Sequence, residues 1–494
     1  MLANRRVKIV GTIGPSTNTK PTLEKAIRAG LNVARLNFSH GSHEDHEKVI
    51  SIVRELSSEL KAPIAILQDL QGPKIRVGKF KSGSVDLVKD QEVEISPDFE
   101  FGEGSKISTD FEILPEVVKV GDKVLMDDGL IELQVTNVSS KVVTARVVHG
   151  GLLKDRKGIN LPGANLPVDC LTEKDLDDLE FGLRHGVDYV ALSFVRRGSD
   201  MKKLRSLVEE TSPGTKIVAK IEMLEALDHL EEIVQLSDAI MVARGDLAVE
   251  VGQAQLPTLQ KRIIALSNEY KKPVITATQM LDSMVNNPRP TRAEITDVTN
   301  AILDGTDAVM LSAESATGSH PFKAMMTMHE IAMEVEKNAE GFDGNDLVDN
   351  TSTVPESIAA AACLTAKKLG ASAIVSLTTS GRTATLISSF RPKARVIAAT
   401  HKFETLNRLE LAWGLQTINI DPYNSSDQAM EQVGPKLVKF GLCRPGELII
   451  LTLGLPVKTG AKTNSIRVYQ LTDYGSVEIH SSKLPLRCQP LDDL

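Results

Sequence analysis

Between residues 187 and 312 the chain repeats one short phrase: VDYVALSF (187–194), TKIVAKIE (215–222), DAIMVA (238–243), PVITAT (273–278) and DAVMLS (307–312). Each run is apolar, rich in β-branched residues and too short for a buried helix. Between the runs lie stretches of helical periodicity, such as MKKLRSLVEE (201–210) and LQKRIIALSNEY (259–270). Continuous apolar runs joined by crossovers long enough for a helix describe parallel strands buried on both faces. Upstream the phrase occurs as VKIVGTI (7–13), NVARLNF (32–38) and APIAILQD (62–69), so that three and five make eight. Eight is the strand number of a closed (β/α)8 TIM barrel. Two doubly wound sheets use the same units and stand as the alternative.

The rhythm breaks once. From Gly72 to Cys170 the sequence is punctuated by glycine and carries short β segments (VDLV, QEVEIS, KVLMDDGLIELQV, KVVTARVV), which read as an inserted small β-barrel domain. After the eighth run, a polar stretch at 340–357 reads as a linker into a C-terminal α/β domain. There the expected order is helix 357–369, strand 372–377, helix 383–390, strand 394–400, helices 403–412 and 427–440, and strands 448–453 and 465–471. The expected organisation is thus a barrel of 1–71 and 171–340, an insertion of 72–170, an α/β domain of 341–472 and a tail of 473–494.

Composition narrows the function. The 494 residues carry a net charge of −8 without Lys/Arg runs, which argues against nucleic-acid or anionic-membrane partners. Cys170, Cys363, Cys443 and Cys488 form no CxxC pair, so neither a zinc knuckle nor a redox dithiol is indicated. The N-terminal apolar run is too short for a signal peptide, and no stretch approaches the ~20 apolar residues of a membrane span. A cytoplasmic location is expected.

In a (β/α)8 barrel, catalytic groups project from the C-terminal ends of the strands. Those ends carry Arg35, Asn37 and Ser39, then Asp69, Lys220, Glu222, Arg244, Gly245, Asp246, Thr278, Ser312 and Glu314. In TKIVAKIE the period of two puts Lys220 and Glu222 on one strand face. A simple Lys–Glu ion pair is one reading of that face. Asp246 from the next strand favours a second, in which Glu222 and Asp246 hold Mg2+, with Mn2+ as its substitute, and ligand oxygens complete the octahedron. The histidines of SHGSHEDHE (39–47) sit at a polar helix start and read as solvated rather than as a zinc site, with His40 alone in reach of the barrel mouth.

The motifs KIVGTIGPST, GLNVARLNFSHG, IVAKIE, MVARGDLAVE, ITATQMLDSM, PTRAEITDV and VMLSAESATG resemble the pyruvate kinase family over almost the whole chain. The resemblance implies phosphoryl transfer from phosphoenolpyruvate to ADP, an insertion acting as a lid, a regulatory C-terminal domain and a homotetramer. It assigns the divalent metal to Glu222 and Asp246, and charge stabilisation on the moving phosphoryl group to Lys220. Arg35, Gly245, Asp246 and Thr278 fall to the substrate, with Thr278 near the proton source. Asn37, His40, Arg76 and Lys174 fall to the nucleotide.

Many family members bind K+ at groups matching Asn37, Ser39, Asp69 and the residue after it, and read Asp-Thr-Lys-Gly-Pro-Glu there. This chain reads Asp69, Leu70, Gln71, Gly72, Pro73, Lys74. Lysine in place of that glutamate resembles the potassium-independent branch, with the Lys74 ammonium replacing the ion, unless Lys74 points into solvent. In the C-terminal domain, Thr378, Thr379, Ser380, Arg382 and Thr383 join a strand to a helix and suit a phosphate, or form a plain capped turn. Relatives of this type bind a sugar phosphate or AMP in a corresponding loop. A metal-enolate lyase on a similar barrel, and a non-catalytic metabolite sensor, are the competing functions.

Overall fold

The structure is a computed structural model that describes residues 5–164, 166–338, 353–457, 462–472 and 475–478. The chain divides into two compact units at residue 339/340.

In the first unit eight parallel strands close into a barrel. In chain order they are Lys8–Thr12, Val33–Asn37, Ala65–Asp69, Tyr189–Leu192, Lys216–Ile221, Ala239–Ala243, Val274–Ala277 and Ala308–Leu311. Each pairs with its neighbour in sequence, and the first closes on the last through Lys8 to Gly11 against Ala308 to Leu311. Nearly all their residues are buried, as the apolar runs require. The register sets polar residues level: Thr12 faces Arg35, Asn37 faces Asp69, and Asp69 faces Ala191. The doubly wound alternative is excluded by closure.

The insertion is built as a six-stranded sheet and a two-stranded ribbon. They enclose one apolar core that includes Val93, Ile95, Ile107, Val124, Leu133, Val147 and Leu153. The turn from Met126 to Ile131 places Asp128 and Gly129 at φ of 56° and 84°, the twist-matched turn that an Asp-Gly pair favours. Where the chain leaves the barrel, Gly72 adopts φ +70° and an added Cβ would lie 2.7 Å from the Phe194 ring. Its N–H donates to Asp175 Oδ1 at 3.1 Å, and Asp175 also anchors the N-cap Thr172 where the chain returns. Both roots of the insertion are therefore held at one buried carboxylate.

The second unit carries a six-stranded sheet in the order 415–419, 395–400, 373–377, 448–453, 465–472 and 475–478, parallel in its first four strands and antiparallel in its last two. Three expectations need correction. Leu415–Asn419 is an edge strand that sequence reading left without structure, because only two of its residues, Leu415 and Ile418, are buried. The linker expected at 340–357 ends earlier: a helix runs Val354–Leu369 with Thr353 and Glu356 in a capping box and Pro355 in its first turn, while 339–352 lie outside the described residues. The expected tail begins with a strand, Gly475–Glu478, paired to Ser465–Thr472; 473–474 and 479–494 lie outside the described residues. Among the described residues no helix is long and apolar enough to cross a membrane.

Candidate active site

At the C-terminal mouth of the barrel the strand-end residues form one charged cluster. The Lys220 ammonium lies 2.9 Å from Glu222 Oε1 and 3.1 Å from Asp69 Oδ1, and donates to Ser193 Oγ at 2.6 Å. Arg35 donates through Nε to Asp69 Oδ2 at 2.7 Å and through Nη1 to Thr12 Oγ1 at 2.8 Å. Glu222 Oε2 accepts the Phe194 N–H at 2.9 Å. Asp69 and Glu222 are each 1% exposed, so these interactions act in a medium that screens charge poorly.

Burial opposes charge at every member, and the neighbours decide the outcome. Burial would raise Asp69, but the Lys220 ammonium and Arg35 guanidinium hold it below the usual carboxylate range. Burial would lower Lys220, but Asp69 and Glu222 hold it above the ordinary lysine value, fully charged. At Glu222 burial prevails and the Asp246 charge adds to it, so its carboxyl is pushed up despite Lys220.

This imbalance tests the fit of a metal. Arg35 and Lys220 pair with Asp69 and Glu222, and the Asp246 charge acts against Glu222 without a cation of its own among the described ion pairs. A divalent cation between Glu222 and Asp246 relieves that repulsion. Among the described residues no group of three or more His, Cys, Asp or Glu is placed to hold a metal. A pair of carboxylates is a donor set that Mg2+ accepts, because it takes few protein carboxylates and keeps water or substrate oxygens.

Thr278 closes one side of the mouth. Its φ of 67° is uncommon for a β-branched residue and is held by its surroundings. Its Oγ1 accepts the Gly245 N–H at 2.8 Å, and its carbonyl accepts from Arg244 Nη2 at 2.6 Å. Arg244, read as a mouth residue, is instead a buried brace whose Nη1 reaches both Asp297 oxygens at 2.9 and 2.8 Å. A Cβ added at Gly245 would meet Thr278 Oγ1 only at 3.7 Å, ordinary contact, so the protein itself does not demand glycine here. The bare backbone leaves room for a ligand. Asp246 follows in the first turn of the helix Arg244–Val251.

Of the residues assigned by resemblance to the nucleotide, Asn37, His40 and Lys174 share one stretch of the barrel mouth and Arg76 lies in the insertion. Asn37 Oδ1 accepts the Ser39 N–H at 3.2 Å, and His40 is exposed beside them. Lys174 donates to the Phe38 carbonyl at 2.8 Å and to Asp178 Oδ2 at 2.5 Å. Within the insertion Arg76 donates its N–H to Asp110 Oδ1 and its Nη1 to the Arg156 carbonyl, and its own carbonyl accepts from Thr109 Oγ1. The histidines are less solvated than their polar helix start implies. His46 is buried and stacks on Phe38 at 4.0 Å, and His43 pairs with Asp178 at 2.7 Å, because the aromatic Phe38 and Phe181 line this seam.

Of the monovalent-cation residues, Leu70 is 1% exposed, and its carbonyl accepts Ser193 Oγ at 2.7 Å. Lys74 is half-buried and lines a cavity at the root of the lid, its Cε near Gly158. It has no described contact with Asn37, Ser39 or Asp69. In the second unit, Thr378 Oγ1 accepts the Gly381 N–H at 2.9 Å, Thr379 O accepts from Thr405 Oγ1 at 2.8 Å, and Thr383 bonds Thr463. The helix Arg382–Ser389 starts from Gly381 without a side-chain cap, and Thr379, Ser380 and Arg382 are exposed. The Thr378 hydroxyl thus caps the turn ahead of the helix, while the Thr379, Ser380 and Arg382 side chains stay exposed.

Thr12 and Ser193 were missing from the sequence-derived site. Both stand at strand ends, the first and the fourth, where the rule that found Lys220 applies equally.

Comparison with known proteins identifies the family. Residues 4–325 match the family model described as pyruvate kinase, barrel domain, and residues 356–469 match pyruvate kinase, alpha/beta domain. The chain is 42% identical over 474 residues to a pyruvate kinase of Geobacillus stearothermophilus, covering 95% of this chain and 81% of that protein. To one of Staphylococcus aureus (strain MRSA252) it is 43% identical over 475 residues, with the same coverage. The crystal structure of a pyruvate kinase from Cryptosporidium parvum superposes with a TM-score of 0.89 at 36% identity, covering 95% of this chain and 97% of that one.

Proposed function

The chain belongs to the pyruvate kinase family, and on that premise we propose how its residues divide the work. The enzyme is a phosphotransferase that moves the phosphoryl group of phosphoenolpyruvate to ADP, giving ATP and pyruvate, a reaction of glycolysis. The observation that carries the assignment is the Lys220 ammonium, held charged between Asp69 and Glu222 by contacts of 3.1 and 2.9 Å.

Phosphoryl transfer places little covalent demand on the protein, so positioning and fixed charge do most of the work. Lys220 stabilises the phosphoryl oxygens in flight, and Arg35, fixed by Thr12 and Asp69, binds them from the second strand of the barrel. Glu222 and Asp246 would hold Mg2+, which when bound neutralises substrate carboxylate and phosphate charge. Gly245 offers open backbone to the substrate, and Thr278 fixes the proton donor at the enolate carbon. Asn37, His40, Arg76 and Lys174 take the nucleotide, with Arg76 approaching Lys174 and its neighbours as the lid closes and excludes water. We place the enzyme in the cytoplasm.

Potassium independence belongs to the same proposal. What supports a fixed ammonium in place of the ion is the sequence Asp69 to Lys74, with a buried apolar Leu70 and a lysine where potassium-binding relatives carry glutamate. Activity measured with ADP, phosphoenolpyruvate and Mg2+ is expected to persist without sodium or potassium, and Lys74→Glu is expected to make it depend on added potassium. A wild-type rate that rises many-fold with potassium contradicts this reading. The same assay separates the rivals, because a lyase would release pyruvate without ATP and a sensor would release neither.

Regulation rests on the loop Thr378 to Thr383 and on the family resemblance, which also implies a homotetramer. The expected result is a tetramer in sedimentation whose phosphoenolpyruvate saturation curve shifts left with a sugar phosphate or AMP, a shift lost in Arg382→Ala. A monomer, or a curve that no such ligand moves, would withdraw this part.

A further inference from the structure

The fourth barrel strand, Tyr189–Leu192, lies between the third and the fifth, and its last pairing, Leu192 beside Ala219, sets the next residue, Ser193, level with Lys220. Ser193 is 2% exposed. Its hydroxyl donates to the Leu70 carbonyl at 2.7 Å and accepts from the Lys220 ammonium at 2.6 Å. A hydroxyl has one hydrogen to give, so the bond to Leu70 turns a lone pair toward the ammonium. Leu70 is itself fixed, buried with its N–H on the Ala191 carbonyl at 3.0 Å. After Ser193 the chain turns through Phe194 at φ 55°, and the Phe194 N–H holds Glu222 Oε2. One strand end thus touches both charged residues of the fifth strand.

Two kinds of force act on the Lys220 ammonium. Asp69 and Glu222 attract it by charge, at 3.1 and 2.9 Å, and that attraction depends on distance more than on direction. Asp69 Oδ1 is buried and has no hydrogen-bond partner among the described residues, so its contact with the ammonium is an ion pair without an aligned hydrogen bond. The bond to Ser193 is directional. Ser193 is also the neutral member of the three partners, and so the one that yields most readily to a charged phosphoryl oxygen.

We propose that Ser193 is a positioning residue for Lys220: the carboxylates hold the ammonium at the barrel mouth, and the Ser193 hydroxyl, aimed by the Leu70 carbonyl, sets the direction in which it offers an N–H to the phosphoryl group. The proposal rests on the assignment of phosphoryl transfer to Lys220. A hydroxyl that only tied Leu70 to the fourth strand would contribute stability and leave the work of Lys220 untouched.

The test is a double-mutant cycle of Ser193→Ala and Lys220→Ala, together with a crystal structure of metal-free Ser193→Ala. In that variant Lys220 Nζ is expected to move roughly 1 Å toward the carboxylates, and kcat to fall roughly 10–100-fold while the KM for phosphoenolpyruvate changes less. Added to Lys220→Ala, the same substitution should bring no further fall, because the hydroxyl acts through the ammonium. The Mn2+ dissociation constant should stay close to that of wild type, since Glu222 keeps the Phe194 N–H, and this establishes that the variant folds. Ser193→Cys, which fills the site with a weak acceptor, should lose kcat in the same way and carries the test if the alanine variant does not fold. An unmoved ammonium, or losses that multiply in the double variant, would overturn the proposal. Turnover by Lys220→Ala alone close to the wild-type rate would instead remove the assignment beneath it, a failure the cycle reads separately.

Discussion

Lys220→Ala is expected to lower the rate of ATP formation by roughly 10²–10³-fold, the effect of removing one preorganised donor to a developing charge. Phosphoenolpyruvate and the divalent metal should still bind, because Arg35, Glu222 and Asp246 remain. A second effect follows from the surroundings of the ammonium. Asp69 and Glu222 are each 1% exposed, and both lean on Lys220. Stripping one partner from a buried ion pair typically destabilises by about 3–5 kcal/mol. Arg35 keeps its bond to Asp69 and limits the loss on that side, while Glu222 keeps only the Phe194 N–H. The variant should therefore melt lower as well as turn over slowly. Thermal unfolding, kcat and Mn2+ binding must be measured on one preparation, and a variant that binds metal normally yet does not form ATP isolates the chemical role.

Glu222→Gln should act in the opposite order. The amide preserves shape and can still accept the Phe194 N–H, and Lys220 keeps Asp69 and Ser193, so the loss of stability is expected to be smaller than in Lys220→Ala. Metal affinity is expected to fall by more than the roughly 10–100-fold that changes around a metal ligand bring, and activity with it, with partial recovery at high Mg2+ or Mn2+. Isothermal titration with Mn2+ reads this directly. Affinity within a few-fold of wild type would show that Glu222 serves only its ion pair with Lys220.

Much of this site could be read in the sequence because strands alternate faces. The period of two in TKIVAKIE placed Lys220 and Glu222 on one wall, and the structure shows the ion pair at the barrel mouth, where the proposed catalytic role also needs the ammonium. The eight-strand count succeeded because buried parallel strands leave long apolar runs that need no partner to be recognised. What failed depends on distant partners. Arg244 stands at a strand end, yet becomes a brace because Asp297, from a later helix, waits beneath it. Ser193 and Thr12 are uncharged hydroxyls whose importance emerges only once Lys220 and Arg35 are folded against them. His43 and His46 looked solvated because their helix start is polar, while the aromatic seam they join comes partly from Phe181, far along the chain. The edge strand Leu415–Asn419 buries too little to announce itself.

The central claim is that Lys220, beside a cation held by Glu222 and Asp246, carries out phosphoryl transfer between phosphoenolpyruvate and ADP. Its most direct test measures pyruvate and ATP together, in wild type and Lys220→Ala, across a Mg2+ titration starting from chelated enzyme. The account predicts equal amounts of both products from wild type, formed only as the metal is restored, and a rate at least about 100-fold lower from the variant at every metal concentration. Turnover by Lys220→Ala close to the wild-type rate would contradict it and leave Lys220 as a salt bridge at the barrel mouth.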